Sequence, residues 1–217
     1  MVKLCKLLKE KDVGSIGIGA MIVFIAMVLV AGIAASVLIA TSTRLEMQAL
    51  KTGQETIAEV GSGMKVESVE GYNTSGLVVK LAVEVASRAG SPDIDLSQAV
   101  VEISDSATKH VLRYNTSLTD DADVNGDLFG VSAFGDADEF DLIVLQDADD
   151  SCTQSNPVIN FGDHVVIAIA SDLIFTTNAG IAARTDVFGM VIPEEGAPGI
   201  IGFTTPSSYT ETVMELQ

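Results

Sequence analysis

Residues 13–43 carry no charged side chain. Within them, Ile16–Ala40 is a run of 25 residues of Ile, Val, Leu, Met, Ala and Gly, interrupted only by Phe24 and Ser36. A helix of that length crosses the hydrocarbon core of a bilayer. No soluble domain buries so uniform a segment on one face, so it needs lipid or other apolar helices around it. The helical pattern continues beyond the run. Thr41–Val60 lacks proline and holds good helix formers from Leu45 to Lys51. A helix over residues 15–60 would be about 70 Å long.

Small residues recur along this helix at a spacing of four. Gly32, Ser36 and Ala40 form one line, and Ala31 and Ala35 the next. Such lines let helix backbones approach closely. Ahead of the run, Lys3, Lys6, Lys9 and Lys11 stand against Glu10 and Asp12. A basic leader before an apolar segment is a targeting signal, but the apolar run exceeds that of an ordinary secretory signal peptide.

The charge is divided as sharply as the hydropathy. The 217-residue chain has a net charge of −18. Residues 1–60 hold six basic and five acidic side chains, whereas residues 61–217 hold six basic and 25 acidic, a net of −19. A surface so poor in cations excludes nucleic acid as a partner. Two cysteines, Cys5 and Cys152, cannot build a disulfide framework or a zinc cluster.

From Met64 the period shortens to two. Leu77–Val85 alternates apolar residues with Lys80 and Glu84 on the opposite face. Further strands are expected at 65–70, 99–104, 110–114, 140–146, 164–171, 186–192 and 200–204. Turns are expected at Gly71-Tyr72-Asn73, Ser91-Pro92-Asp93, Asn125-Gly126-Asp127 and Asn178-Ala179-Gly180. The fold class is α+β: a long apolar helix followed by an antiparallel β-sandwich over residues 61–217. Seven of the eight Phe lie in this part and are expected to fill its core.

Asp121, Asp123, Asn125 and Asp127 place oxygen ligands at alternate positions around a turn glycine, as calcium loops do. Ser132 stands where a full EF-hand loop carries its bidentate Glu. Two readings stay open here, a calcium or similar hard-cation site and a solvated acidic turn. Asp120/Asp121 and Asp149/Asp150 read as solvated turns. Asn73-Thr74-Ser75 and Asn115-Thr116-Ser117 are N-glycosylation sequons. His110 and His164 are the only histidines, and neither has a nucleophile at catalytic spacing. His164 is expected at the start of a strand. No enzymatic activity and no required cofactor are expected.

The segment Val13-Gly14-Ser15-Ile16-Gly17-Ile18-Gly19-Ala20-Met21-Ile22-Val23-Phe24, continued through Ile39, resembles the N-terminus of archaeal flagellins (archaellins). Ile201-Gly202-Phe203-Thr204-Thr205-Pro206-Ser207-Ser208-Tyr209 resembles the same family near its C-terminus. Gly19 stands where bacterial type IV pilins carry a glutamate.

The resemblance implies a class III, type IV pilin-like signal peptide over residues 1–14. A membrane peptidase of the prepilin type would cut it between Gly14 and Ser15. It also implies a 15–60 helix serving first as membrane span and then as filament core, and an immunoglobulin-like outer domain. The partners implied are further copies of the chain in a helical polymer, sister archaellins, and the membrane before assembly. The implied location is an extracellular filament. Two other readings fit the composition: an archaeal adhesion pilin, and a membrane-anchored cation-binding module. Removing residues 1–14 would leave Cys152 as the one cysteine, so no intrachain disulfide is expected.

Overall fold

The computed structural model describes residues 2–119, 126–134, 137–175 and 179–217, with the side chains of residues 2–15, 58 and 117–119 not described. The chain divides into two compact units, Met1–Gln54 and Glu55–Gln217.

One helix, α1, runs from Val2 to Gly61. Its described side chains from Ile16 onward are exposed. Thr41 and Thr43 mark the end of the apolar run. Their hydroxyls donate to the carbonyls of Leu38 and Ile39 at 3.0 Å, so neither interrupts the helix nor asks for an outside partner.

Twelve strands follow among the described residues. Nine form one sheet: β1 (Met64–Thr74), β2 (Leu77–Ser87), β4 (Val100–Ser104), β5 (Lys109–Thr119), β6 (Glu139–Gln146), β9 (His164–Ile169), β10 (Asp186–Ile192), β11 (Gly199–Thr204) and β12 (Val213–Glu215). Their order is β11-β10-β4-β5-β6-β9-β2-β1-β12, and every pair is antiparallel except β5 with β6. Three short strands, β3 (Ile94–Asp95), β7 (Cys152–Thr153) and β8 (Asn156–Ile159), make a second sheet in the order β3-β8-β7. A one-turn helix, Ser171–Ile174, leaves β9.

The alternation read at Leu77–Val85 sets the inside of the sheet. Leu81, Val83 and Val85 are fully buried, together with Ile103, Leu112, Phe140, Leu142 and Ile167 from neighbouring strands. The expected helix and mostly antiparallel β domain are both present, and the sandwich is built by one sheet turning back on itself. Its two ends meet. The amide of Met64 donates to the carbonyl of Ala197 at 3.0 Å, and the amide of Ala197 donates to the carbonyl of Ser62 at 2.9 Å. Gly63 makes this approach possible: a Cβ there would lie 2.3 Å from the Ala197 carbonyl oxygen, and its φ is +142°. Gln217 adds a second clasp on β11. Its Oε1 accepts from the amide of Gly202 at 2.7 Å and its Nε2 donates to the carbonyl of Ile200 at 3.2 Å.

Two expectations need correction. The turn expected at Gly71–Asn73 is strand, because β1 runs on to Thr74. The chain reverses instead at Ser75-Gly76, where φ is +58° and +87°, the pairing of signs that a two-residue type I′ hairpin requires. Nor do all seven Phe of the β domain fill its core. Phe129, Phe134, Phe140, Phe175 and Phe203 are buried, whereas Phe161 and Phe188 are 76% and 59% exposed.

Candidate functional site

The most unusual surface of the molecule is the apolar helix. Ile22, Leu29 and Leu38 are each at least 62% exposed, and none of the described apolar residues of 16–57 is covered by the chain itself. Ile22, Val23, Ala26, Met27, Val30, Ala31 and Ala34 line a shallow, open apolar depression along it. Because α1 is continuous, Gly32, Ser36 and Ala40 fall on one line, and a side-chain carbon at Gly32 would meet nothing within 4 Å. Ala31 and Ala35 lie beside them. Gly14 and Ser15 are inside the same helix.

The second concentration of chemistry lies in the turns beside β7 and β9. Asp147, Asp149 and Asp163 each bring a carboxylate oxygen within 4.8 Å of the others. Asp147 is held by amides: Oδ2 accepts from Cys152 at 2.8 Å, and Oδ1 accepts from Asp149 and Ser151 at 3.3 Å. Asp163 is almost fully buried, and its Oδ2 accepts from the amide of Asn160 at 2.8 Å. Asn160 Nδ2 donates to Asp149 Oδ2 at 2.7 Å. Hydrogen bonds from Ser151 and then Asn160 hold the Asp149 carboxyl below its ordinary range, against a smaller opposing effect of desolvation. Three hard oxygen donors at this separation are suited to a calcium-like cation.

This cluster is not the one expected from sequence. Asp121, Asp123 and Asn125 lie outside the described residues. Asp127 is exposed and precedes a 3₁₀ turn, Leu128–Gly130. Asp149 is an exposed turn residue, as expected, and it also comes close to Asp163. The signal available was the Asp147-x-Asp149 spacing.

Both sequon asparagines are half-buried. Asn73 Oδ1 accepts from the amide of Gly76 at 3.1 Å, and its Nδ2 donates to the carbonyl of Glu211 at 3.3 Å. Asn115 lies on β5, inside the register shift between Tyr114 and Leu118. His164 does begin β9. Its Nδ1 is 3.0 Å from Glu84 Oε1, whose other oxygen accepts from Ser68. His110 packs edge-on against Phe175.

A family model described as archaeal-type flagellin matches residues 14–203. The chain belongs to the archaeal-type flagellin family. Flagellin B2 of Methanocaldococcus jannaschii is 42% identical to this flagellin, with 100% of both chains aligned. Flagellin B1 of Methanococcus voltae is 43% identical over 94% of this chain and 95% of its own. Among solved structures, the crystal structure of archaeal flagellin FlaB1 from Methanocaldococcus jannaschii aligns with TM-score 0.64 at 38% identity, covering 72% of this chain and 97% of that one. The archaeal flagellum of Methanospirillum hungatei strain JF1 aligns with TM-score 0.62, covering 91% of this chain and 98% of that one; at 18% identity it is a likeness of fold. This flagellin is therefore a structural subunit of the archaeal flagellum.

Proposed function

We propose that this flagellin is made as a membrane-inserted preprotein, cut between Gly14 and Ser15 by a prepilin-type peptidase, and polymerised through residues 15–60 into a helical filament. The observation that carries this reading is the exposure of Ile16–Ala40. All 25 residues of this run, apolar except for Ser36, stand uncovered in the isolated chain. Lipid covers them before assembly, and the helices of other copies cover them afterwards. The family's solved flagellum supports the second half of the reading. Leaving the bilayer forfeits no hydrophobic burial only if the helices pack tightly, which is the role of the Gly32, Ser36 and Ala40 line. The acidic β domain then faces water, with Asn73 and Asn115 as acceptors for N-linked glycans and the Asp147, Asp149 and Asp163 cluster as the seat of a hard cation.

Electron microscopy of filaments sheared from cells, with mass spectrometry of the subunit N-terminus, tests the proposal. Filaments whose subunits begin at Ser15 are expected. Subunits that retain Met1, or an absence of filaments, would overturn it. Loss of swimming on deletion separates a flagellar subunit from an adhesion pilin.

A further inference from the structure

The two sequons stand differently in the sheet. Asn73 lies on β1 between two partners. On one side it is in register with Val78 of β2. On the other its amide donates to the carbonyl of Thr212 at 2.7 Å, one residue ahead of β12. The same segment holds its side chain: Nδ2 donates to the carbonyl of Glu211 at 3.3 Å, while Oδ1 accepts from the amide of Gly76 at 3.1 Å. Thr74, Ser75 and Gly76 at the hairpin tip are exposed, so the hairpin does not hide the sequon. What covers Asn73 is the chain running into β12. The second sequon, at Asn115, is on β5, which β6, β9, β2 and β1 separate from β12 in the sheet order.

β12 is a slender closure. It has three residues, none of them buried, and its register on β1 covers only Glu70, Gly71 and Tyr72. Beyond it the amide of Leu216 donates to the carbonyl of Val69 at 2.7 Å, and Gln217 reaches β11. Short exposed edge elements open locally at a fraction of the free energy of global unfolding. Opening this one would release Asn73 Nδ2 and the outer edge of β1 together.

N-glycosylation asks of the asparagine what the closed edge denies it. A side-chain amide nitrogen is conjugated with its carbonyl, as a peptide nitrogen is, and is a poor nucleophile until it turns out of that plane. In the transfer, a bond forms from Asn73 Nδ2 to C1 of the sugar. The C1–O bond to the phosphate of a lipid-linked saccharide breaks, its electron pair stays on that oxygen, and one Nδ2 proton passes to a base of the transferase. With Nδ2 tied to Glu211 and Oδ1 to Gly76, the amide is fixed at both ends. We infer that Asn73 accepts a glycan only while residues 211–217 are off β1, so that docking of β12 gates this sequon and leaves Asn115 ungated. The inference rests on the glycan-acceptor reading above. A glycan attached in the open state is compatible with closure, since Nδ2 keeps one hydrogen for the Glu211 carbonyl.

The test uses the full-length chain, produced in a host that lacks the transferase and folded in detergent. It is mixed with membranes of cells that make this flagellin, which supply the transferase and its lipid-linked saccharide. Glycopeptide mass spectrometry follows each asparagine separately. Wild type is expected to gain little glycan at Asn73. Leu216→Pro removes the N–H that donates to Val69, and its rate at Asn73 should rise about tenfold or more, with the rate at Asn115 unchanged. If Leu216→Pro shows no cooperative melt, Gln217→Ala, which loses the hold on β11, is read in the same way. Modification of Asn73 at one rate in wild type and variant, or in neither, overturns the inference, as does an equal rise at both asparagines in a folded variant. Glycan at neither asparagine, in membranes that modify a free sequon peptide, overturns the glycan-acceptor reading itself and takes the inference with it.

Discussion

Lys80 Nζ stands 4.9 Å from the centre of the Phe134 ring. It also lies 5.9 Å from the centre of Tyr72 and donates to the carbonyl of Phe129 at 2.5 Å. Phe129 and Phe134 are stacked at 5.6 Å, over Ala82, Val166 and Ala168. One of only six cations in residues 61–217 thus fastens the segment between β5 and β6 onto the outer face of the sheet. Lys80→Met keeps the aliphatic stem but loses the cation–π contact and the hydrogen bond. The expected loss is about 1–3 kcal/mol. It is read as a lower melting temperature, with residues 126–134 becoming open to limited proteolysis. An unchanged melt with no new cleavage would argue that packing of the two Phe rings suffices.

Gly63→Val is expected to cost more than a typical core substitution. The new Cβ meets the Ala197 carbonyl oxygen at 2.3 Å, in a backbone conformation that a β-branched residue avoids. Denaturant melts should show a loss of at least about 2 kcal/mol. Gly76→Asn, in the type I′ turn, should be nearly neutral, because Asn tolerates positive φ and nothing lies within 4 Å of the added carbon.

Gly32→Leu places a large side chain on the line it shares with Ser36 and Ala40. Membrane insertion of the preprotein should be intact, since Leu is as lipid-compatible as Gly. Filament yield should fall sharply, as counted on sheared material by microscopy. Wild-type filament numbers from this variant would remove the small-residue line from the assembly mechanism.

Calcium should raise the melting temperature of the β domain, and EDTA should reverse the rise. Asp147→Asn and Asp163→Asn should each weaken the response. The pH dependence follows from Asp149. Its folded-state pKa is depressed, so the stability linked to its charged form is present above the unfolded carboxylate value and is lost as pH falls through the folded one. The calcium response should therefore be full at neutral pH and vanish in acid. Calorimetry with calcium and melting scans down the pH range check both statements. A melt indifferent to calcium at neutral pH would leave the cluster as a set of turn caps.

Melting should also move upward with sodium chloride. No Lys or Arg occurs between Arg113 and Arg184, a stretch with 13 acidic residues, so the folded domain repels itself until salt screens it. Identical melting at low and high salt would mean that the fold already spaces these carboxylates beyond effective repulsion.

The helix was legible in the sequence because a charge-free apolar run has few structural alternatives. The eight expected strands correspond to β1, β2, β4, β5, β6, β9, β10 and β11; β4, β10 and β11 alternate because one face is wet, whereas β6 and β9 are buried on both faces and read as near-continuous apolar runs. The short strands β3, β7 and β8 span two to four residues, too few for a period to register. β12 was missed because Val213-Met214-Glu215 does not alternate and is defined by its partner strand. The Ser75-Gly76 turn lacked the Asn-Gly signature and was assigned to Gly71, which is a strand residue packed under Leu216 and Val78. Phe188 was assigned to the core on hydrophobicity alone, while the alternation around it, with Val187 and Val191 inside, already put it outside. The carboxylate cluster joins Asp147 and Asp149 to Asp163 from a different turn, a proximity that spacing along the chain does not encode.

The clasp between Gln217 and β11, with β12 completing the edge of β1, sets a timetable for synthesis. β1 is among the first strands to leave the ribosome, yet its outer neighbour is among the last. Until residues 213–217 emerge, the domain waits with an open edge. The apolar helix, made before any strand, is available to the membrane throughout that wait. On the membrane-inserted reading proposed above, the order of the chain would let insertion run ahead of folding, with the last edge of the β domain closed after the helix has been placed.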